Sequence, residues 1–539
     1  MSLPRNDRPT NEALPGSMLE LFRGLAHAHP DQTLLTYFNR HLSAREVDEL
    51  SDGLAGYLQE RGLGRGDRTL LCMQNVPQYV IALIAVWKTG GVAVPANPML
   101  HATEVLKIIG DSQAKAVIAL DELLVGWGEA VTSAEGVTTV VSTSAQDLQT
   151  RQDDRLFAAG RTETPAGAVD MLSVAQRDLT RLSADISIEL DDPAVITYTS
   201  GTTGVPKGAV NTHRNVLLGG MMYRDWFELT ESDSILGIAP LFHVTGLSGH
   251  IAAALTARIP LVLTSRFEPG VVLDAISEHR PTFTVGAITA FIALVNDSRS
   301  SKDALSSLRV VGSGGAPIAP ATLAEVEATF GCYIHNLYGL TETTCPVLAV
   351  PVGEVAPVDE VAGALSAGKP VFEGSVRVVD DTGHECGPRE IGELLVDTPT
   401  VISEYWQRPE ATESAFSNSH FRTGDVGFFD EEGWYFIVDR KKDMIIASGF
   451  KVWPREVEDV LFEHPAVLET AVVGIPHEYR GETVKAFVSL RPGSTATPEE
   501  LIAFARERMA AYKYPREVEI VSEIPKTATG KLLRRAMRT

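Results

Sequence analysis

Hydrophobic and polar positions follow two different textures along the chain. From about Leu34 to Phe291, short β-branched runs (AKAVIAL, TTVVS, PAVITY, IPLVLT, FTVGA) alternate with segments of helical periodicity such as AREVDELSDGLAGYLQERG. That alternation predicts parallel sheets with helices on both faces. Between about Cys345 and Val438 the apolar runs shorten and are broken by Gly, Pro and Asp (GSVRVVDDTG, IGELLVD, GWYFIVD), which predicts a small antiparallel or barrel-like unit. The charged cluster DRKKD, Asp439 to Asp443, separates that unit from a last stretch mixing strands (ETAVVGI, VKAFVSL) with helices (PEELIAFARERMAAY). In WPREVEDVL, Pro454 suits the first turn of a helix and the following acids suit its dipole. The fold class expected is α/β: a large N-terminal domain of doubly wound sheets plus a small β-barrel-like unit, residues 1–439, and a small, mobile α+β C-terminal domain, residues 440–539. The hinge is placed near 440–443, although DRKKD read alone is more simply a solvated surface turn.

Composition narrows the possible functions. At 539 residues the chain exceeds what one hydrophobic core supports, so two or more domains are expected. A net charge of -23 excludes a nonspecific nucleic-acid binder, since no basic excess is available to neutralise phosphates. The four cysteines, Cys72, Cys332, Cys345 and Cys386, form no CxxC pair and read as reduced thiols. The N-terminal MSLPRNDRPTNEALPG lacks the apolar core of a signal peptide, and no apolar stretch approaches about 20 residues. A soluble, cytoplasmic protein without stable membrane insertion is expected, and a homo-oligomer is left open.

The segment YTSGTTGVPKGAV, Tyr198 to Val210, concentrates hydroxyls, glycine amides and one lysine in a window with no acidic side chain. Those are the groups that grip phosphate oxygens. A flexible polar loop is the plainer alternative. Its place after PAVITY and before a helix-like segment predicts strand, glycine-rich loop, then helix, where α/β proteins bind phosphates. Walker A spacing fails, because Lys207 is followed by Gly208, Lys369 by Pro370 and Lys531 by Leu532. The dinucleotide fingerprint is only approached at Gly312 to Pro317, GSGGAP. No G-x-S-x-G, H-E-x-x-H or H-R-D motif occurs.

Five motifs together carry a family resemblance: YTSGTTGVPKG, YGLTET (Tyr338 to Thr343), RTGD (Arg422 to Asp425), DRKKDMIIASGFKVWPREVE (Asp439 to Glu458) and PKTATGK (Pro525 to Lys531). In this order and spacing the chain resembles the adenylate-forming superfamily, which includes acyl-CoA synthetases, adenylation domains of peptide synthetases and firefly luciferase. The resemblance spans about residue 18 to the C-terminus. It implies that a small-molecule carboxylic acid is joined to the α-phosphate of ATP, with loss of pyrophosphate, and then passed to coenzyme A. It further implies that Thr199, Ser200, Gly201, Thr202, Thr203, Gly204 and Lys207 form the loop over the β- and γ-phosphates. Glu342 would help hold Mg2+. Asn336 corresponds to the adenine amide partner, and Tyr338 to the aromatic stacked on the base. Gly314, Gly315 and Ala316 line the base's other face, and Gly339 and Thr341 complete YGLTET. Asp425 and Arg440 match the residues that hold the ribose hydroxyls. Lys531 matches the lysine that reaches the substrate carboxylate and α-phosphate. Lys442 matches the pivot, and Gly449 the glycine lining the pantetheine tunnel. Without the motifs, Tyr338 is equally a core aromatic, Asp425 a turn residue, and Glu342 and Lys531 solvated surface charges.

His243, in APLFHVTG, matches a histidine near the acyl carboxylate, where amino-acid-activating relatives carry an aspartate, so an amino-acid substrate is disfavoured. TFTVGAITAFIALV, Thr282 to Val295, suits a hydrophobic tunnel or a buried strand and helix equally well. KVWPREVEDVLFEHPAV is most similar to bacterial medium- and long-chain fatty acyl-CoA synthetases. The expected substrate is therefore a hydrophobic monocarboxylate. Competing readings are an aryl or cyclic carboxylate-CoA ligase, an acyl-AMP ligase loading a carrier protein, and a nucleotide-binding regulator without turnover.

Overall fold

The computed structural model describes residues 14–177, 186–199, 206–359, 364–372, 374–447, 450–477, 481–526 and 532–537. Within them, one seven-stranded sheet runs in the order Val169–Asp170, Thr139–Thr143, Ala114–Leu120, Arg68–Cys72, Val92–Pro95, Pro193–Tyr198, Gly208–Thr212. Its strands are parallel except for the last, which returns antiparallel to Pro193–Tyr198. A nine-stranded sheet runs Lys369–Pro370, Pro346–Ala349, Ile334–Gly339, Val310–Gly314, Phe283–Gly286, Ile235–Leu236, Leu261–Leu263, Thr33–Tyr37, Arg40–Ser43, parallel in the middle and antiparallel at both edges.

The helices between these sheets have sequence-level causes. Pro77–Lys88 is apolar nearly all round and is buried along its whole length, as such a helix must be. Ala44–Glu60 begins at a reciprocal capping box formed by Ser43 and Glu46. His213–Trp226 begins where Thr212 caps it together with Asn215.

The broken texture expected to form a separate unit from about Cys345 does so only from Val376: Pro346–Ala349 and Lys369–Pro370 pair onto the edge of the nine-stranded sheet, and Val376–Val379, Gly392–Val396, Phe416–Ser417, His420–Phe429 and Tyr435–Arg440 form an antiparallel sheet. A fourth sheet (Ile445–Ala447, Phe450–Val452, Val467–His477, Gly481–Leu490, Glu517–Ile520) packs with the helices Pro454–Phe462 and Pro498–Arg508 around its own core. Pro454 opens its helix as expected, with Glu456 in the first turn.

Helix His213–Trp226 lies so close to the segment after His243 that a Cβ on Gly220 would sit 2.6 Å from the backbone carbonyl of Ala252. Gly24, on an exposed face of helix Met18–Ala28, has nothing within 4 Å of such a Cβ. Gly220→Ala is expected to destabilise by about 1–3 kcal/mol through overpacking. Gly24→Ala is expected to stabilise by about 0.5–1 kcal/mol through helix propensity. Thermal midpoints of the two variants should move in opposite directions; equal shifts would contradict the packing.

Candidate active site

The hydroxyl-rich segment connects two antiparallel strands of a β-hairpin. Tyr198 pairs with Gly208 and Thr197 with Ala209, and the Thr199 amide donates to the Lys207 carbonyl at 2.9 Å. Ser200, Gly201, Thr202, Thr203 and Gly204 lie outside the described residues. The expected order of strand, loop and helix is corrected here, because the strand Gly208–Thr212 stands between loop and helix. All five of its residues are buried, so pairing with PAVITY satisfies their amides and postpones the helix to the cap at Thr212. The N-terminus of that helix is thus separated from the loop by a whole strand. Tyr198, at the hairpin's base, donates to Asp111 Oδ2 at 2.6 Å, and Arg408 pairs with the same carboxylate.

A second group forms where parallel strands end side by side. Val310–Gly314 and Ile334–Gly339 are in register, Ser313 opposite Asn336 and Gly314 opposite Leu337, so Gly314, Gly315 and Ala316 leave the sheet next to Tyr338. Gly315 takes φ +86°, a left-handed turn that favours glycine. Two residues apart on one strand, Asn336 and Tyr338 face the same side. Asn336 Nδ2 donates to the Ser366 carbonyl at 2.9 Å. Tyr338 donates its hydroxyl to Asp425 Oδ2 at 2.6 Å, and Arg440 Nε lies 3.1 Å from Asp425 Oδ1. Asp425 and Arg440 face each other on adjacent antiparallel strands. Burial and the Asp425 carboxylate push the Tyr338 phenol well above its ordinary range, so it stays a donor.

Glu342 sits on the single helical turn Thr341–Thr343 and accepts from the Tyr405 hydroxyl at 2.8 Å. The Lys207 ammonium lies 5.1 Å from the centre of the Tyr405 ring. Tyr405 therefore joins two predicted residues, yet nothing in SEYWQRPEAT singles it out. Its segment is strapped to the hairpin by Trp406 N–H to Gly208 O (2.7 Å) and Val210 N–H to Glu404 O (3.1 Å). Asn211 is a second residue missed from sequence. Fully buried, it accepts from Thr197 Oγ1 at 3.0 Å and donates to Thr344 Oγ1 at 2.9 Å and Thr341 O at 3.3 Å. A polar residue inside a predicted buried strand was its available signal.

The remaining predicted residues fall in other settings. His243 Nδ1 accepts from the Thr245 amide at 3.3 Å, capping the turn Val244–Gly246. Gly339 lies at an irregularity in the pairing of Ile334–Gly339 with Pro346–Ala349. Lys442 lies in the turn Lys441–Asp443. Gly449 and Lys531 lie outside the described residues. Just beyond Lys531, Arg534 gathers Glu458 (2.8 Å), Asp439 (3.6 Å) and Asp443 (3.7 Å). Burial pushes the Asp439 carboxyl up to about 6 against the opposing pull of Arg534. Among the described residues no group of three or more His, Cys, Asp or Glu could hold a metal ion. Glu342, a single carboxylate, fits a hard cation that takes its other oxygens from phosphates and water.

A family model described as AMP-binding enzyme matches residues 22–406, and one described as AMP-binding enzyme C-terminal domain matches residues 456–531. The chain belongs to the AMP-binding enzyme family. It is 35% identical over 544 residues to a long-chain-fatty-acid–CoA ligase of Bacillus subtilis, covering 99% of this chain and 96% of that one. It is 34% identical over 514 residues to a feruloyl-CoA synthase of an Amycolatopsis species, covering 95% and 96%. Among solved structures, an anthranilate CoA ligase with bound anthranoyl-AMP matches with TM-score 0.85 at 27% identity, over 98% of each chain. ATP-bound MatB from Rhodopseudomonas palustris matches with TM-score 0.84, and the apo form of the same protein with 0.73, each at 28% identity over 96% of this chain and 98% of that one.

In this AMP-binding enzyme the Asn211 amide holds hairpin and Thr341–Thr343 turn together. Asn211→Ala leaves the buried Thr197 hydroxyl without its acceptor and should cost about 1–3 kcal/mol. An unchanged thermal midpoint would contradict that role.

Proposed function

We propose that this AMP-binding enzyme, an adenylate-forming acyl-CoA ligase, activates a hydrophobic monocarboxylic acid, a medium- or long-chain fatty acid, and transfers it to coenzyme A. The observation that carries the nucleotide half is the gathering of Lys207 and Glu342 about Tyr405 and of Tyr338 and Arg440 about Asp425. Asn336 spends its amide N–H on Ser366, which leaves its carbonyl oxygen as an acceptor for the exocyclic amine of adenine. Tyr338 stacks on the base, opposite Gly314, Gly315 and Ala316. Asp425 and Arg440 keep acceptor and donor positions for the ribose hydroxyls.

Lys207 and the loop Thr199 to Gly204 grip the β- and γ-phosphates, and Glu342 would help hold a Mg2+ whose charge would offset that of the leaving pyrophosphate. The carboxylate oxygen of the acid attacks the α-phosphorus and the bond to the β-phosphate oxygen breaks. Lys531 stabilises the charge that develops there. In the second step the coenzyme A thiol gives up its proton, its sulfur bonds to the acyl carbon, and the bond to AMP breaks. Residues 440–539 form the domain that rotates about Lys442 between the steps, exchanging Lys531 for the Gly449 loop over residues 1–439. The better match to ATP-bound than to apo MatB supports an adenylate-forming arrangement of the two domains.

For the acid, the fatty-acid ligase relative across nearly the whole chain supports an aliphatic substrate. His243 stands at the acyl carboxylate in this reading. The feruloyl and anthranilate relatives support a second reading, an aryl carboxylate.

Pyrophosphate release with Mg-ATP, measured over short to long fatty, aryl and cyclic acids with and without coenzyme A, tests both readings. Release peaking on medium- or long-chain fatty acids, with thioester formed, is the expected result. A peak on aryl acids selects the second reading, and adenylate persisting despite coenzyme A selects a carrier-protein acceptor. Lys531→Ala should lower adenylate formation by about 100-fold or more while thioester formation from supplied acyl-adenylate is retained. Lys442→Pro, with its φ locked, should do the reverse. Equal losses in both half-reactions would refute either assignment.

A further inference from the structure

Tyr405 lies between the side chains assigned to the phosphates and to the metal, and falls outside the five motifs read from the sequence. It is 6% exposed, and its hydroxyl has one strong acceptor, Glu342 Oε1 at 2.8 Å. Its ring is the surface facing the Lys207 ammonium, at 5.1 Å. The backbone around it is fixed to the strand that follows Lys207: Ala209 and Tyr405 form an antiparallel bridge, flanked by the bonds of Trp406 and Glu404. The Tyr405 amide also donates to Thr412 Oγ1 at 3.0 Å. Upstream, the Ile402 amide donates to the Glu342 carbonyl at 2.9 Å. The segment 402–406 thus touches both the backbone and the side chain of Glu342.

We propose that Tyr405 is a positioning residue that sets the Glu342 carboxylate and the Lys207 ammonium together for Mg-ATP, its hydroxyl acting on the first and its ring on the second. The inference rests on the roles given to Glu342 and Lys207 above. A glutamate on a single helical turn has several rotamers to sample, and a lysine just before a strand has more. One neutral donor on Oε1 removes that freedom from the glutamate while leaving three of the carboxylate's roughly four acceptor positions for a cation. A phenol is protonated throughout the neutral range, so the hydroxyl is a donor there. The ring holds the ammonium by a cation–π contact that competes for none of its hydrogen bonds.

The test is calorimetric binding of ATP to the full chain, without acid substrate, over a series of Mg2+ concentrations and with Mg2+ chelated. Tyr405→Phe removes the hydroxyl and keeps the ring. Its affinity for ATP at saturating Mg2+ should fall about three- to thirtyfold, the size of a hydrogen bond to a charged acceptor plus the rotamer restraint. Its affinity for metal-free ATP should stay within about twofold, and its KM for Mg-ATP should rise more than its kcat falls. Tyr405→Leu, which removes the ring as well, should also weaken metal-free ATP. Wild-type isotherms for Tyr405→Phe overturn the proposal. So does a parallel loss with and without Mg2+, or a failure of this near-isosteric variant to fold, since either assigns Tyr405 to the scaffold. Glu342→Gln and Lys207→Ala separate the two levels of the argument. If they too bind Mg-ATP normally, the phosphate-site reading fails; if they bind poorly while Tyr405→Phe does not, only the role of Tyr405 fails.

Discussion

The buried amide of Asn211 is the tie on which the site depends. Through Thr197 it reaches the first strand of the hairpin, and through Thr341 and Thr344 it reaches the turn carrying Glu342. Thr344 in turn donates to the Thr400 carbonyl at 2.8 Å, at the start of the segment that leads to Tyr405. Three stretches, 130 and 56 residues apart in sequence at the bonds that join them, are thereby held to hydrogen-bond precision. Thr197, Asn211, Thr344 and Thr400 are buried, and their bonds answer polar groups that would otherwise lack water, so the arrangement cannot loosen without cost.

The electrostatics follow the same economy of groups. The chain carries a net charge of -23, yet its reaction joins a carboxylate to a triphosphate. The fold resolves this by pairing the site's acids with neutral or cationic donors: Glu342 with Tyr405, and Asp425 with Tyr338 and Arg440. Both tyrosines are held protonated by burial and by the very carboxylates they serve. Each acid is thus oriented by a tyrosine hydroxyl that carries no charge, and Asp425 by Arg440 as well.

Around the proposed pivot, Asp439 on one side of Lys442 meets the Arg455 amide at 3.0 Å and Arg534 from the other side. These contacts couple the strand that ends in Arg440 to the chain that continues from Lys531. A rotation at Lys442 would have to exchange them, which fits a hinge whose two positions are discrete rather than graded.

Much of the scaffold was legible in the sequence. The alternation of β-branched runs and amphipathic segments determined the two parallel-sheet layers, because strand and helix periods differ and each must bury one face. The Gly- and Pro-broken texture from Val376 determined the antiparallel unit, and Pro454 the start of its helix. The resemblance assigned Asn336 and Tyr338 to the base and Asp425 and Arg440 to the ribose; Tyr338, Asp425 and Arg440 are in contact, and Asn336 lies two residues before Tyr338 on the same strand. What only the tertiary structure decided was pairing across long separations. Gly208–Thr212 became an antiparallel strand because Pro193–Tyr198 offered it a partner, which no local pattern shows. Asn211 and Tyr405 became part of the site because a buried hydrogen bond is a property of two distant residues, and neither residue's neighbours in the chain record it.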